Sequence, residues 1–272
     1  MRLLDLLLGQ TPPERRQRIG LVLSGGAVRG AAHLGVLQVL GEAGIRPDLV
    51  VGVSAGSVVG GLYCAGLSPR ELQKMSTEMN WRRLARITRP GLGFFDISQM
   101  EQFIDKLVGS VTIEELAIPF AAVAVDILTG ELVVFRQGSL ARAIRASCSL
   151  PGIFSPLEDG KRLLIDGGAL NNLPVGVARD MGANYLIAVD LLPPPLAPMQ
   201  RPHNISEMWS LSFYTIMRAR YTDARVADVV IQPDIAHVSF IDFGQTDYLV
   251  QKGREGTLAQ LERIKSDLGM TT

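Results

Sequence analysis

Ser54 sits in Gly52-Val53-Ser54-Ala55-Gly56, a G-x-S-x-G stretch. A serine hydroxyl attacks carbonyl carbon only when it is exposed and a base takes its proton. A sharp strand-to-helix turn supplies the exposure, and this motif builds such a turn. Its flanking positions must be small because two backbones pass close together; Gly52 and Gly56 meet that demand. A helix opening at this point also aims free N–H groups at the developing negative charge. A plainer reading of Ser54 is the N-cap of a glycine-rich helix entry in a doubly wound fold.

A second loop, Ser24-Gly25-Gly26-Ala27-Val28-Arg29-Gly30, joins another strand to another helix. Successive loop amides can curl around an anion. A dinucleotide fingerprint needs G-x-G-x-x-G, but its middle position is Ala27, and no acidic residue ends the next strand where ribose would be held. No Gly-Lys-Ser/Thr follows, so a nucleotide P-loop is excluded too. The remaining anion is an oxyanion, cradled by the amides of Gly25, Gly26 and Ala27. Arg29 either braces the loop or meets a phosphate head group; a surface arginine on the first helical turn is the plain alternative.

The base is then sought among few groups. The three histidines, His33, His203 and His237, lie in a helix, a proline-rich loop and a segment after the last strand. None carries a base signature. A carboxylate at a strand end can take the serine proton directly. Asp126, Asp166 and Asp190 each end an apolar strand. Asp166 stands out because Gly167 and Gly168 follow it, leaving its carboxylate unobstructed and near backbone amides. A turn aspartate before a glycine pair is the ordinary reading of the same residues.

The elements that position these groups are strands alternating with amphipathic helices. Strands are expected at residues 19–23, 49–53, 120–125, 132–135, 162–165, 186–189 and 229–232. Helices are expected at 31–42, 55–65, 175–181 and 255–268, with another near 206–220. Leu128-Thr129-Gly130 reads as a hairpin turn. The proline-rich stretch 192–203 and residues 88–95 read as loops. Near-continuous apolar strands between helices predict an α/β fold with a mostly parallel sheet covered on both faces.

In this order the three motifs resemble the patatin-like phospholipase family, its small bacterial members in particular. The family pattern is G-G-G-x-R/K-G, then G-x-S-x-G, then D-G-G/A. Here Gly25, Gly26, Ala27, Arg29 and Gly30 are followed by Gly52, Ser54 and Gly56, then by Asp166, Gly167 and Gly168. Residues 126–131 and Ala146-Ser147-Cys148-Ser149-Leu150-Pro151-Gly152-Ile153-Phe154 match family segments as well, so the likeness runs from about residue 19 to 190. The resemblance implies a three-layer α/β/α hydrolase of acyl esters, with Ser54 as nucleophile, Asp166 as base, the glycine loop as oxyanion hole, and neither metal nor cofactor. Ala27 departs from the family's usual glycine; if that position needs a positive φ, alanine strains it by about 1 kcal/mol.

Composition sets outer limits. The 272 residues suffice for a large core, and 47% apolar against 20% charged residues excludes a disordered chain. Lys+Arg and Asp+Glu are both 27, so nothing points to nucleic acid. Two cysteines without metal-ligand spacing favour a reduced, cytoplasmic setting. No apolar run reaches the roughly 18 residues of a membrane span. Residues 1–18 read as an N-terminal extension whose leucines pack as a short helix or, as a sharper reading, touch the inner face of a membrane. Residues 19–272 read as one domain. A thioesterase, a general carboxylesterase and a non-catalytic lipid-binding regulator are the competing functions; the substrate partner is a lipid or ester in the leading one.

Overall fold

The computed structural model describes residues 17–78, 86–87, 91–192, 201–219, 226–240 and 242–270. The leucines of residues 3–8 and most of the proline-rich stretch lie outside them. The chain runs β1 (Ile19–Leu23), α1 (Ala32–Glu42), β2 (Leu49–Val53), α2 (Ala55–Cys64), α3 (Pro69–Glu78), β3 (Arg86–Ile87), β4 (Gly93–Asp96), α4 (Gln99–Val108), β5 (Phe120–Asp126) and β6 (Glu131–Phe135). It continues with α5 (Leu140–Ser147), β7 (Gly152–Phe154), β8 (Leu157–Asp159), β9 (Arg162–Asp166), α6 (Val175–Asp180), β10 (Tyr185–Val189), α7 (Ile205–Ala219), β11 (Val229–Ile231) and α8 (Thr246–Asp267).

The main sheet has the order β11-β10-β1-β2-β5-β9-β8, with β6 also on β5. Its first five strands run parallel. Strands β6, β9 and β8 are antiparallel to their neighbours. Alternation along each strand divides the core between two faces. Leu21, Leu23, Val50 and Ala122 pack with α1, α2, α5 and α8. Val22, Val51, Val53 and Val123 pack with Val175, Val177 and Ala178 of α6. The architecture is therefore α/β with a helical layer on each side of a mostly parallel sheet, as expected.

Edge sharing along β5 sets up the site. One edge pairs with β6 from Ala122 to Asp126. The other edge pairs first with β2, up to Val53 opposite Val123, and then with β9, from Asp166 opposite Ala124. A parallel and an antiparallel strand thus meet end to end on consecutive rungs, which sets Ser54, the next residue after β2, against Asp166, the last of β9.

Several expected boundaries move. Residues 88–95 read as loop, yet β4 begins at Gly93 and joins β3 and β7 in a small separate sheet. Gly93 is required there, because a Cβ would lie 2.5 Å from the Ser155 nitrogen. Helix α8 begins at Thr246 rather than residue 255. Its interior Gly253 lets it lie directly on α1: a Cβ there would be 1.9 Å from the Ala32 oxygen, and one on Gly35 of α1 would be 2.0 Å from the Val250 oxygen.

Candidate active site

Strand β2 ends at Val53 and α2 begins at Ala55, so the whole turn falls on Ser54. Its φ of 51° and ψ of −122° lie outside the regions ordinary residues occupy. The glycines that permit the turn are needed for space. A Cβ on Gly52 would come within 2.5 Å of the Gly56 oxygen, and one on Gly56 within 2.2 Å of the Leu23 oxygen. The turn is held by hydrogen bonds. The Ser54 amide donates to Ser147 Oγ at 2.8 Å, and that hydroxyl donates onward to the Val123 carbonyl at 2.6 Å. Ser57 Oγ donates to the Ser54 carbonyl at 2.7 Å.

Asp166 is 1% exposed. Its Oδ1 accepts from the Gly168 amide at 2.8 Å, while Oδ2 has no hydrogen-bond partner among the described residues. Burial pushes its pKa up to about 7; the neighbouring Ser54 hydroxyl and the Gly168 amide pull the other way. The Asp166 amide donates to Ser149 O at 2.9 Å. Gly167 must be glycine, since a Cβ there would lie 2.3 Å from the Val123 oxygen. The end of α5 and the residues just after it therefore hold both partners, the serine through Ser147 and the aspartate through Ser149.

In the glycine loop, Ala27 adopts φ 49°. The position does need a positive φ, and alanine there carries a strain of ~1–2 kcal/mol. Gly25 is committed: its amide donates to Asn172 Oδ1 at 3.2 Å, and Asn172 Nδ2 returns a bond to its carbonyl at 3.3 Å. The amides of Gly26 and Ala27 donate to nothing among the described residues. Of the three amides expected to face an anion, that of Gly25 is thus occupied in this structure, and those of Gly26 and Ala27 are not.

Arg29 settles between its readings. It is 2% exposed, and its guanidinium donates to the carbonyls of Val238, Ala236 and Leu191 while lying 3.9 Å from the Phe240 ring centroid. Burial lowers its pKa to about 10, with Tyr214 pulling it back up, so the charge persists at neutral pH. It braces the loop; neither the head-group nor the surface reading fits a buried guanidinium aimed at carbonyls. His33 is a second brace, with a ring nitrogen 2.9 Å from the Ser24 carbonyl. Burial lowers its pKa to about 4, so it is neutral.

The remaining candidates are structural. Asp126 Oδ1 accepts from the Leu128 and Leu163 amides, closing the hairpin turn onto β9. Asp190 accepts from the Leu192 amide and Gln232. His237 is exposed and bonded to the Tyr248 hydroxyl. His203 is exposed as well. Burial raises the pKa of both thiols, Cys64 and Cys148, which removes them as nucleophiles.

One cleft joins Ser54, Asp166, Asn172 and the Gly25–Ala27 turn, enclosing about 420 Å³ with its open mouth. Its roof was not foreseen. Trp209, Phe213, Tyr214 and Met217 of α7 line it, together with Leu150 and Phe240. Trp209 and Phe213 stack at 5.2 Å. Their spacing in the sequence was the available signal: four large apolar residues on one helical face.

Comparison with known proteins now decides the family. Residues 21–179, more than half of the chain, match the Patatin family, described as patatin-like phospholipase. The chain belongs to the patatin-like phospholipase family. It is 40% identical over 177 residues to an uncharacterized NTE family protein of Mycobacterium tuberculosis, covering 64% of this chain and 49% of that protein. It is likewise 40% identical over 182 residues to the neuropathy target esterase sws of Drosophila melanogaster, covering 64% of this chain and 13% of the fly protein. This patatin-like chain thus spans about half, or far less, of the curated relatives it matches. Among solved structures it resembles VipD from Legionella pneumophila, with a TM-score of 0.62 and 16% identity over 91% of this chain and 67% of VipD. At that identity the likeness concerns the fold.

Proposed function

We propose that this patatin-like chain hydrolyses carboxylic esters of lipids, with Ser54 as nucleophile and Asp166 as general base. One observation carries the reading: a serine on a strained strand–helix turn shares a cleft with a buried carboxylate whose Oδ2 is free. Gly26 and Ala27, whose amides have no acceptor among the described residues, line the same space. Family membership and a relative named as an esterase support the same chemistry.

Ser54 Oγ attacks the ester carbonyl carbon as its proton passes to Asp166. The carbonyl oxygen becomes an oxyanion held by the Gly26 and Ala27 amides, where preorganised donors act in a site with little water. Collapse breaks the bond to the alcohol oxygen, which leaves with the proton from Asp166. Water then attacks the acyl-serine and gives its proton to Asp166. The second collapse frees the carboxylic acid, and Ser54 recovers its proton. A base with a pKa near 7 suits both directions of this transfer at neutral pH.

Labelling with a fluorophosphonate probe tests the assignment. Wild type labels, Ser54→Ala does not, and Asp166→Asn labels at least a hundredfold more slowly. Full labelling and turnover in a folded Asp166→Asn protein would overturn the role of Asp166.

A further inference from the structure

Asn172 belongs to none of the three sequence motifs, yet its carboxamide stands between two of them. It is 6% exposed and lines the cleft with Ser54 and Asp166. A carboxamide carries an acceptor and a donor side by side, so it can pair with a backbone residue as a neighbouring strand would. Here both halves go to one residue. Oδ1 accepts from the Gly25 amide at 3.2 Å, and Nδ2 donates to the Gly25 carbonyl at 3.3 Å.

The same carboxamide accounts for two glycines. A Cβ on Gly25 would lie 2.6 Å from Asn172 Oδ1, and one on Gly168 would lie 2.9 Å from that atom. Gly25 opens the glycine loop, and the Gly168 amide donates to Asp166. Asn172 thus fills the gap between the loop and the buried carboxylate. Its own place is set by the turn after Asp166, where the Leu170 and Asn171 amides both donate back to the Gly167 carbonyl. Carboxylate and carboxamide therefore ride on one turn.

This pairing has a consequence for the loop. The peptide between Gly25 and Gly26 is planar and trans, so its carbonyl and its N–H point opposite ways. Fastening the Gly25 carbonyl to Asn172 fixes the direction of the Gly26 N–H. Two successive glycines would otherwise leave these peptide planes free to turn. The next amide belongs to Ala27, whose positive φ persists only where the surroundings hold it.

We propose that Asn172 is a positioning residue: it sets the Gly25–Gly26 peptide plane and so aims the Gly26 and Ala27 amides at the oxyanion. The proposal rests on the ester-hydrolase reading for the oxyanion and on the two hydrogen bonds for the clamp.

Two readouts separate these parts. The first is inhibition by 1,1,1-trifluorooctan-2-one. Ser54 Oγ adds to its carbonyl carbon, the serine proton passes to Asp166, and the carbonyl oxygen becomes an anion for the loop to hold. The second is hydrogen exchange of the Gly25 amide, read by nuclear magnetic resonance without any turnover. Asn172→Ala removes both hydrogen bonds, and Asn172→Asp keeps the acceptor while setting a carboxylate against the Gly25 carbonyl; circular dichroism checks folding. Removing a whole oxyanion donor costs about 10²–10³ in kcat, so a misaimed one is expected to cost at least tenfold. Both variants lower kcat for p-nitrophenyl acetate by that factor, with KM changed less than threefold, and both weaken the ketone at least tenfold. Asn172→Ala keeps the midpoint of the pH–rate profile, because Asp166 retains the Gly168 amide. Its Gly25 amide exchanges at least tenfold faster than in wild type. Folded variants with kcat and ketone affinity within threefold of wild type would overturn the proposal. A loss of activity that moves the pH midpoint would overturn it too, since Asn172 would then act through the base. If the ketone and fluorophosphonate both leave wild type untouched, the hydrolase reading falls; the clamp then stands if Gly25 exchange quickens in Asn172→Ala and falls if it does not.

Discussion

Burial places the Asp166 carboxyl near neutrality in proton affinity, and two measurements follow from that single group. In its proposed role as general base it acts only when ionised. The log of kcat/KM should therefore climb with pH and level off above an apparent pKa near 7, as a pH–rate profile will show. Stability moves the other way. Below its ordinary pKa of about 4 the group is neutral in both folded and unfolded chains, whereas above about 7 it is charged in both. Between those limits the folded protein holds the extra proton, so stability declines as pH climbs. Asp166→Asn removes the cost of burying the charge. Urea unfolding should show that variant more stable than wild type by on the order of 2–4 kcal/mol at pH 8, with the two nearly equal at pH 4. Ser54 adds backbone strain at the same place, and Ala27 adds more. Backbone strain at two neighbouring positions, beside a buried carboxylate at a third, gathers a cost in stability at one place.

Among the elements, α1 and α8 touch backbone to backbone, and glycine alone allows it. Gly253→Ala would drive a methyl into the Ala32 carbonyl and force the helices apart. Overpacking of that kind costs ~1–3 kcal/mol, which a lowered urea midpoint will report. The same contact explains why the start of α8 escaped sequence reading: tertiary packing, not local pattern, makes Gly253 acceptable in a helix interior. Strands β1, β2, β5, β9 and β10 were legible because each is a short apolar run bounded by turn residues. Helices α3 and α4 were not, nor was the small sheet of β3, β4 and β7, whose strands are two to four residues long. That Ser54, Asp166 and the glycine loop would share one cleft was readable because their motifs fix residue type and order along the chain. Ser147 and Asn172 were not, because a hydroxyl or amide that orients a neighbour leaves no local pattern. The fate of Arg29 depended on carbonyls more than 160 residues away in sequence.

For the molecule as a whole, His33 and Asp166 pull the pH dependence of stability in opposite directions. Burial lowers His33 to about 4, so the unfolded chain gains its proton first, and stability is lost as pH falls from about 6.5 to 4. Across that window wild type has the Asp166 slope to offset it, whereas Asp166→Asn does not and should lose stability in acid. The end-to-end meeting of β2 and β9 on β5 has another consequence, in time rather than in space. The nucleophile strand and its helix are local and can assemble early; the base arrives only when a strand more than a hundred residues later takes the vacant half of the β5 edge. Long-range pairing of this kind is slow. During refolding, far-ultraviolet circular dichroism should recover before fluorophosphonate reactivity, and the two should never coincide. Until β9 docks, the chain is a folded scaffold whose serine lacks its proposed base, which would keep the proposed ester-cleaving centre silent until the sheet around it is complete.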